Sequence, residues 1–84
     1  MSLVAKMPLP LYGFLDGDTV GLLIVADEHE SIASLARKLQ EAGNIRVRSR
    51  LEVHLVYQGE IIDPALSVCD AGFTALERFD VRQQ

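Results

Sequence analysis

One cysteine, Cys69, and no tryptophan occur among 84 residues. A lone thiol forms no disulfide within the chain and supports no thiolate metal cluster, a usage that fits a reducing compartment. Cations are scarce as well: eight Lys and Arg against twelve Asp and Glu give a formal charge of −4 and a pI near 4.9. Nucleic-acid binding needs clustered Lys and Arg to neutralise phosphates, so no nucleic-acid partner is expected. The one basic cluster, Arg46, Arg48 and Arg50 in NIRVRSR, has no interleaved aromatics and reads as a solvated loop or strand edge. No apolar run approaches the ~20 residues that span a bilayer, and MSLVAKMPLPL has neither the core nor the cleavage site of a signal peptide. No membrane partner is expected, and the expected location is the cytoplasm.

Catalytic groupings are equally thin. His29 and His54 are the only histidines, one beside a helix start and one on a strand, with no third ligand at a metal-binding spacing. Asp16, Asp18, Asp27, Glu28 and Glu30 sit beside turns and at a helix start, where carboxylates are expected for structural reasons. Cys69 has Asp70 as its neighbour and no Lys or Arg nearby in sequence, a poor setting for a nucleophilic thiolate, so a buried or half-buried structural thiol is expected. The glycines form neither a phosphate loop nor a dinucleotide fingerprint. Neither an enzyme active site nor a cofactor site of its own is expected, and no metal ligands are assigned.

What is present is apolar patterning. Roughly half the residues are hydrophobic (49%), which suits one folded domain over residues 1–84. A chain of this length buries only ~60–65% of the surface that it exposes when unfolded, so its core is thin. In PLPLYGFL, Pro8 and Pro10 lack the amide proton of a central ladder, which predicts an irregular or edge entry. The turn signal DGD at 16–18 and the apolar run Thr19–Ala26 complete a hairpin. In SIASLARKLQEAG, Ile32, Leu35, Ala36 and Leu39 fall on one helical face, which predicts a helix over Ile32–Ala42. Ser31 caps its start, and Gly43 is expected to close it as a left-handed residue. LEVHLVYQGEIID alternates Leu51, Val53, Leu55 and Tyr57 against Glu52, His54, Val56 and Gln58, then turns at Gly59. PALSVCDAGF reads as a loop with one short helical turn, and in LERFDVR Glu77, Phe79 and Val81 share one face.

Hairpin, helix, hairpin, turn and strand, with too few residues for several βαβ crossovers, predict an α+β fold. One helix lies across a mixed four- to five-stranded sheet, with the first and last strands parallel at its centre: the ubiquitin-like β-grasp. Only one sheet face meets the helix, yet VGLLIVA at 20–26 has no polar side chain on either face. Its register is ambiguous from sequence. If Leu23 and Val25 point inward, Leu22 and Ile24 stand outside, and the candidate interface is Leu9, Leu11, Tyr12, Phe14, Leu22, Ile24 and Val56.

The second half, EVHLVYQGEIID followed by SVCDAGF, resembles ubiquitin in layout, but the chain stops at DVRQQ where conjugated modifiers end in Gly-Gly. The entry LPLYGFLDGD, the strand ending in VAD, the helix opening ESI and the stretch SVCDAGFTALERFDVR resemble the small B (gamma) subunit of toluene-4-monooxygenase-type bacterial multicomponent monooxygenases. The region from Gly43 to Arg50 departs from that family's expected pattern. The resemblance implies a non-catalytic structural subunit of an enzyme of aromatic hydrocarbon catabolism. It would bind the large hydroxylase subunit, whose helical bundle would hold the di-iron centre. The alternative is a free-standing bacterial ubiquitin-like interaction or regulatory module without conjugation activity.

Overall fold

The computed structural model describes residues 8–15, 21–43 and 53–83. The expected DGD turn, the start of the run from Thr19, the basic cluster, and Leu51 and Glu52 lie outside the described residues. The elements are β1 (Pro8–Leu15), β2 (Leu22–Asp27), α1 (Ile32–Ala42), β3 (Val53–Tyr57), β4 (Glu60–Ile61) and β5 (Arg78–Gln83). They form a five-stranded sheet in the order β2-β1-β5-β3-β4, in which β1 and β5 are parallel and the other pairings are antiparallel.

Helix α1 has the expected bounds, and Ile32, Leu35, Ala36 and Leu39 are its buried face. Ser31 Oγ accepts from the Ser34 amide at 3.1 Å, satisfying one of the orphan donors of the first turn. Two more are met from the loop after β4: Ile32 N–H donates to Leu66 O and Ala33 N–H to Pro64 O. In return, Val68 and Cys69 amides donate to Glu30 and Glu28 carbonyls, strapping the loop to the helix start. Val68 is fully buried there, whereas Cys69 is exposed. The expectation of a buried or half-buried thiol is thus corrected: the strap sends Val68 inward, and its neighbour faces water.

Gly43 also differs from expectation. Its φ of −98° is not left-handed, and its amide closes the helix by an ordinary bond to Leu39 O at 3.0 Å. Glycine is required for space, since a Cβ there would stand 2.2 Å from Leu15 Cδ1. The two-residue turn joining β3 to β4 does need positive φ: Gln58 at 54° and Gly59 at 81° form the type of tight hairpin that matches strand twist.

Strand β1 is not an edge. It is a regular strand between β2 and β5, and the reason its prolines are tolerated lies in the pleat. Tyr12 N–H donates to Glu77 O and Pro10 C=O accepts from Leu76 N–H, so even-numbered residues of β1 aim their backbone groups toward β5. Paired residues on that side begin only at Tyr12 with Arg78, so the missing amides of Pro8 and Pro10 cost no bond to β2.

The core lies between α1 and one sheet face, with Leu11, Leu15, Ile24, Ala26, Leu55, Phe79 and Val81 buried against the helix. Gly13 permits the close approach of helix and sheet, since a Cβ at that position would come within 2.9 Å of Leu39 and 2.8 Å of Phe79.

A candidate docking face on the outer side of the sheet

Residues directly opposite each other on neighbouring strands share a face, so the register decides what points away from the helix. Leu11 pairs with Ile24, and both are buried, at 0% and 8% exposure. Tyr12 pairs with Leu23 and Pro10 with Val25; here Tyr12 is 42%, Leu23 57% and Val25 53% exposed. The outer side of β2 is therefore Leu23 and Val25. Leu22 and Ile24 belong to the helix side, Leu22 half-buried and packed on the core. Leu9 and Leu11 share that side, and among the expected docking residues these four are corrected to core or core-flanking positions. The missed signal was Asp27, which by alternation stands with Leu23 and Val25 and marks their side as the wet one.

Tyr12 and Phe14 do stand on the outer side. The Phe14 ring lies over Gly21, where a Cβ would approach Phe14 Cζ to 2.5 Å, and the Arg78 guanidinium stacks on the ring at 4.2 Å. Val56 is also on the outer side, opposite Asp80 and Ile61, but its neighbours cover it to 6% exposure. Across the face the rows are thus Val25 beside Pro10, Leu23 beside Tyr12 beside Arg78, and Phe14 beside Asp80. The β2–β1 half is apolar, and the β5 half is charged.

On β5, Arg78 pairs with Asp80 at 3.3 Å, while Arg82 has no hydrogen-bond or ion-pair partner among the described residues. The entry to β5 is held by a buried phenol. The Tyr57 ring stacks on Phe73 at 3.9 Å, and its hydroxyl donates to a Glu77 oxygen that also accepts from the Thr74 amide at 2.8 Å. Burial, then the Glu77 hydrogen bond and charge, push the Tyr57 phenol up to about 12. Glu77 is held below the usual carboxylate range by the Tyr57 hydroxyl and then the Thr74 amide. Glu77 N–H closes back on Thr74 O at 3.3 Å, and within this turn Leu76 adopts φ 66° with 59% of its surface exposed.

At the opposite edge, the Lys38 ammonium donates to Val25 O at 3.0 Å and to Glu30 Oε1 at 2.9 Å, covering an unpaired carbonyl of edge strand β2. Burial opposes the charge on Glu30, but the Ser34 hydroxyl, the Asp27 amide and Lys38 together outweigh it and hold its carboxyl below the usual range.

A groove of about 420 Å³ between α1 and β3 has a mainly apolar lining in which Arg37 and His54 are the ionisable residues, and these make no nucleophile–base pair. Among the described residues no three His, Cys, Asp or Glu side chains are grouped to hold a metal ion, so this donor set does not fit a carboxylate-bridged di-iron centre. No helix among the described residues is long and apolar enough to cross a membrane.

A chain from the toluene 4-monooxygenase HD complex with the inhibitor 4-bromobenzoate superposes with a TM-score of 0.85 at 21% identity, covering 93% of this chain and 100% of that one. The ubiquitin-like domain of Plasmodium falciparum Dsk2 gives 0.74 at 13% identity over 93% and 100% of the two chains. Caldiarchaeum subterraneum ubiquitin gives 0.75 at 11% over 93% and 95%. The fold is therefore the ubiquitin-like β-grasp. No curated protein sequence matches the chain. Residues 8–83 match the family model of toluene-4-monooxygenase system protein B (TmoB), and the chain belongs to that family.

Proposed function

We propose that this chain is a non-catalytic accessory subunit of a di-iron aromatic monooxygenase, that it binds the large hydroxylase subunit through the outer side of β1 and β2, and that any di-iron centre belongs to that partner. Family membership supports the monooxygenase assignment. The observation that carries the docking is the exposure of Leu23 and Val25 on a strand whose other side is already core. Covering the remaining half of each side chain is worth about 1 kcal/mol, a gain that no described residue of the chain supplies and that a partner surface can. The chain's own role is then to present a rigid apolar face: β1 and β2 are anchored from behind by α1, and Lys38 ties the β2 edge to the helix. Such a complex belongs in the cytoplasm, where a single free thiol is stable.

Light scattering on this chain alone and mixed with the large hydroxylase subunit tests the proposal. A stoichiometric complex that is lost in Leu23→Asp is the expected result. A monomer in both samples overturns it and favours the free-standing interaction module.

A further inference from the structure

We infer that Lys38 is an edge guard: its ammonium, anchored by Glu30, keeps β2 from pairing with β2 of a second copy of this chain. The inference stands apart from the question of which partner covers the outer side of the sheet. An edge strand offers unpaired amides and carbonyls to any other strand, and the two edges of this sheet are protected in different ways. The β4 edge is only two residues long, Glu60–Ile61, and one of them is charged. The β2 edge runs six residues and pairs one-to-one with Pro8–Gly13, without a bulge. Before Asp27 it contains neither proline nor charge. Shortness, charge and bulging protect β4 or other edges, and β2 has none of them along Leu22–Ala26.

The register fixes which backbone groups this edge leaves open. Pro10 aims its carbonyl at β5, so Val25 opposite it, and by alternation Leu23 and Asp27, turn amide and carbonyl away from β1. At Asp27 both groups are used: the amide donates to Glu30 Oε1 and the carbonyl accepts from Glu30 N–H, each at 2.9 Å. The amide and carbonyl of Leu23 and the amide of Val25 have no hydrogen-bond partner among the described residues. These groups are self-complementary. In an antiparallel pairing about a two-fold axis at Ile24, Leu23 of each copy exchanges both backbone hydrogen bonds with Val25 of the other. The exposed side chains of Leu23 and Val25 then lie against one another across the seam. Half of those backbone bonds accept at a Val25 carbonyl, and that is the atom Lys38 occupies at 3.0 Å. The ammonium is fixed there by Glu30, whose side chain is only 8% exposed, at 2.9 Å. Lys38 thus stands on the one outward carbonyl that this pairing needs and that the chain can reach from its own helix.

Sedimentation velocity of the full chain at rising concentration tests this, with amide exchange at Leu23 and Val25 followed by NMR. The proteins are wild type, Lys38→Met, Lys38→Gln, Lys38→Arg, and Lys38→Met combined with Val25→Pro. Freeing the Val25 carbonyl restores backbone bonds on both sides of the seam, so Lys38→Met and Lys38→Gln are expected to dimerise about tenfold more tightly than wild type. Their Leu23 and Val25 amides are expected to exchange more slowly as the dimer forms. Lys38→Arg keeps a cation on a long stem and is expected to behave as wild type. Val25→Pro removes an amide that faces away from β1, so it leaves the β1–β2 ladder intact and is expected to return Lys38→Met to the wild-type level. Association of both neutral variants no tighter than that of wild type overturns the inference. Association that Val25→Pro leaves in place also overturns it, by placing the contact elsewhere. Loss of the cooperative unfolding transition in both neutral variants overturns it too, by showing that Lys38 holds the fold and does not guard its edge.

Discussion

Along β1 and β2 the two sides of the sheet are nearly alike in composition and opposite in fate. Leu9, Leu11, Leu22 and Ile24 face the helix, while Tyr12, Phe14, Leu23 and Val25 face away. The first set is buried or packed on the core; in the second, Leu23 and Val25 keep more than half their surface in water. Hydrophobicity drives burial, but a sheet with a single helix supplies only one covered side. An apolar residue on the other side adds to stability only as far as its neighbours on that side cover it, as they do Val56 but not Leu23 or Val25. The helix side carries the larger part of the folding energy of this domain, and the outer side of β1 and β2 is the one proposed for contact.

That contrast can be broken most forcefully at Leu11. Leu11→Ala removes a fully buried side chain and is expected to cost about 2–5 kcal/mol in urea unfolding, whereas Leu23→Ala is expected to change stability by no more than about 0.5 kcal/mol. Equal effects at the two positions would show that the faces are not distinguished in solution. Glycines provide a second pair. Gly13→Ala forces a methyl group against Leu39 and Phe79, both held in the core, and should cost about 1–3 kcal/mol. Gly21→Ala meets the ring of half-buried Phe14, which can swing outward, so a smaller loss is expected together with a changed Phe14 ring signal in NMR.

Tyr57→Phe sharpens the comparison at the boundary between the two sides. It removes the hydroxyl that fixes the β5 entry and should lower stability by about 1 kcal/mol, while the Glu77 carboxyl returns toward its ordinary range in an NMR titration. The same groups set the pH limits. Glu30 and Glu77 titrate below their ordinary range, so their stabilisation is present above about pH 4.5 and is lost as the pH falls through their lowered values. Tyr57 is raised from 10 to about 12, so its contribution is complete below pH 10 and is lost as the pH climbs through 12. Unfolding midpoints measured from pH 3 to 11 should show a plateau between these limits, and Tyr57→Phe should remove the alkaline shoulder and weaken the acid limb that Glu77 shares with Glu30.

Much of this architecture was legible from local chemistry. Ser31 before an apolar stripe at helical spacing marks α1, and the alternation through Val53, Leu55 and Tyr57, and through Phe79 and Val81, orients β3 and β5 correctly. In these segments polar and apolar positions alternate, so the pattern itself separates inside from outside. The candidate face was less legible because β1 and β2 offer apolar residues on both sides, and a shift of one position exchanges them. Asp27 was the available tie-breaker, one residue past the run that raised the question. Nothing in PLPLYGFL announced an interior strand: two prolines argue for an edge, and only the late start of the β5 ladder at Tyr12 reconciles them with the middle of a sheet.

The amino-acid sequence by itself determined the elements, their order and the helix face, because these follow from neighbours within a few residues. It also determined how much apolar surface the chain carries. Tertiary structure alone decided that Gly43 serves space and not handedness, that Cys69 faces water and that Leu76 is held exposed in a left-handed turn, and it settled the side of β2 that Asp27 only hinted at. Each of these depends on groups distant in the chain, such as α1 behind β2, Leu15 against Gly43 and Tyr57 beneath Glu77, and no local pattern encodes a contact that forms only when the last strand pairs with the first.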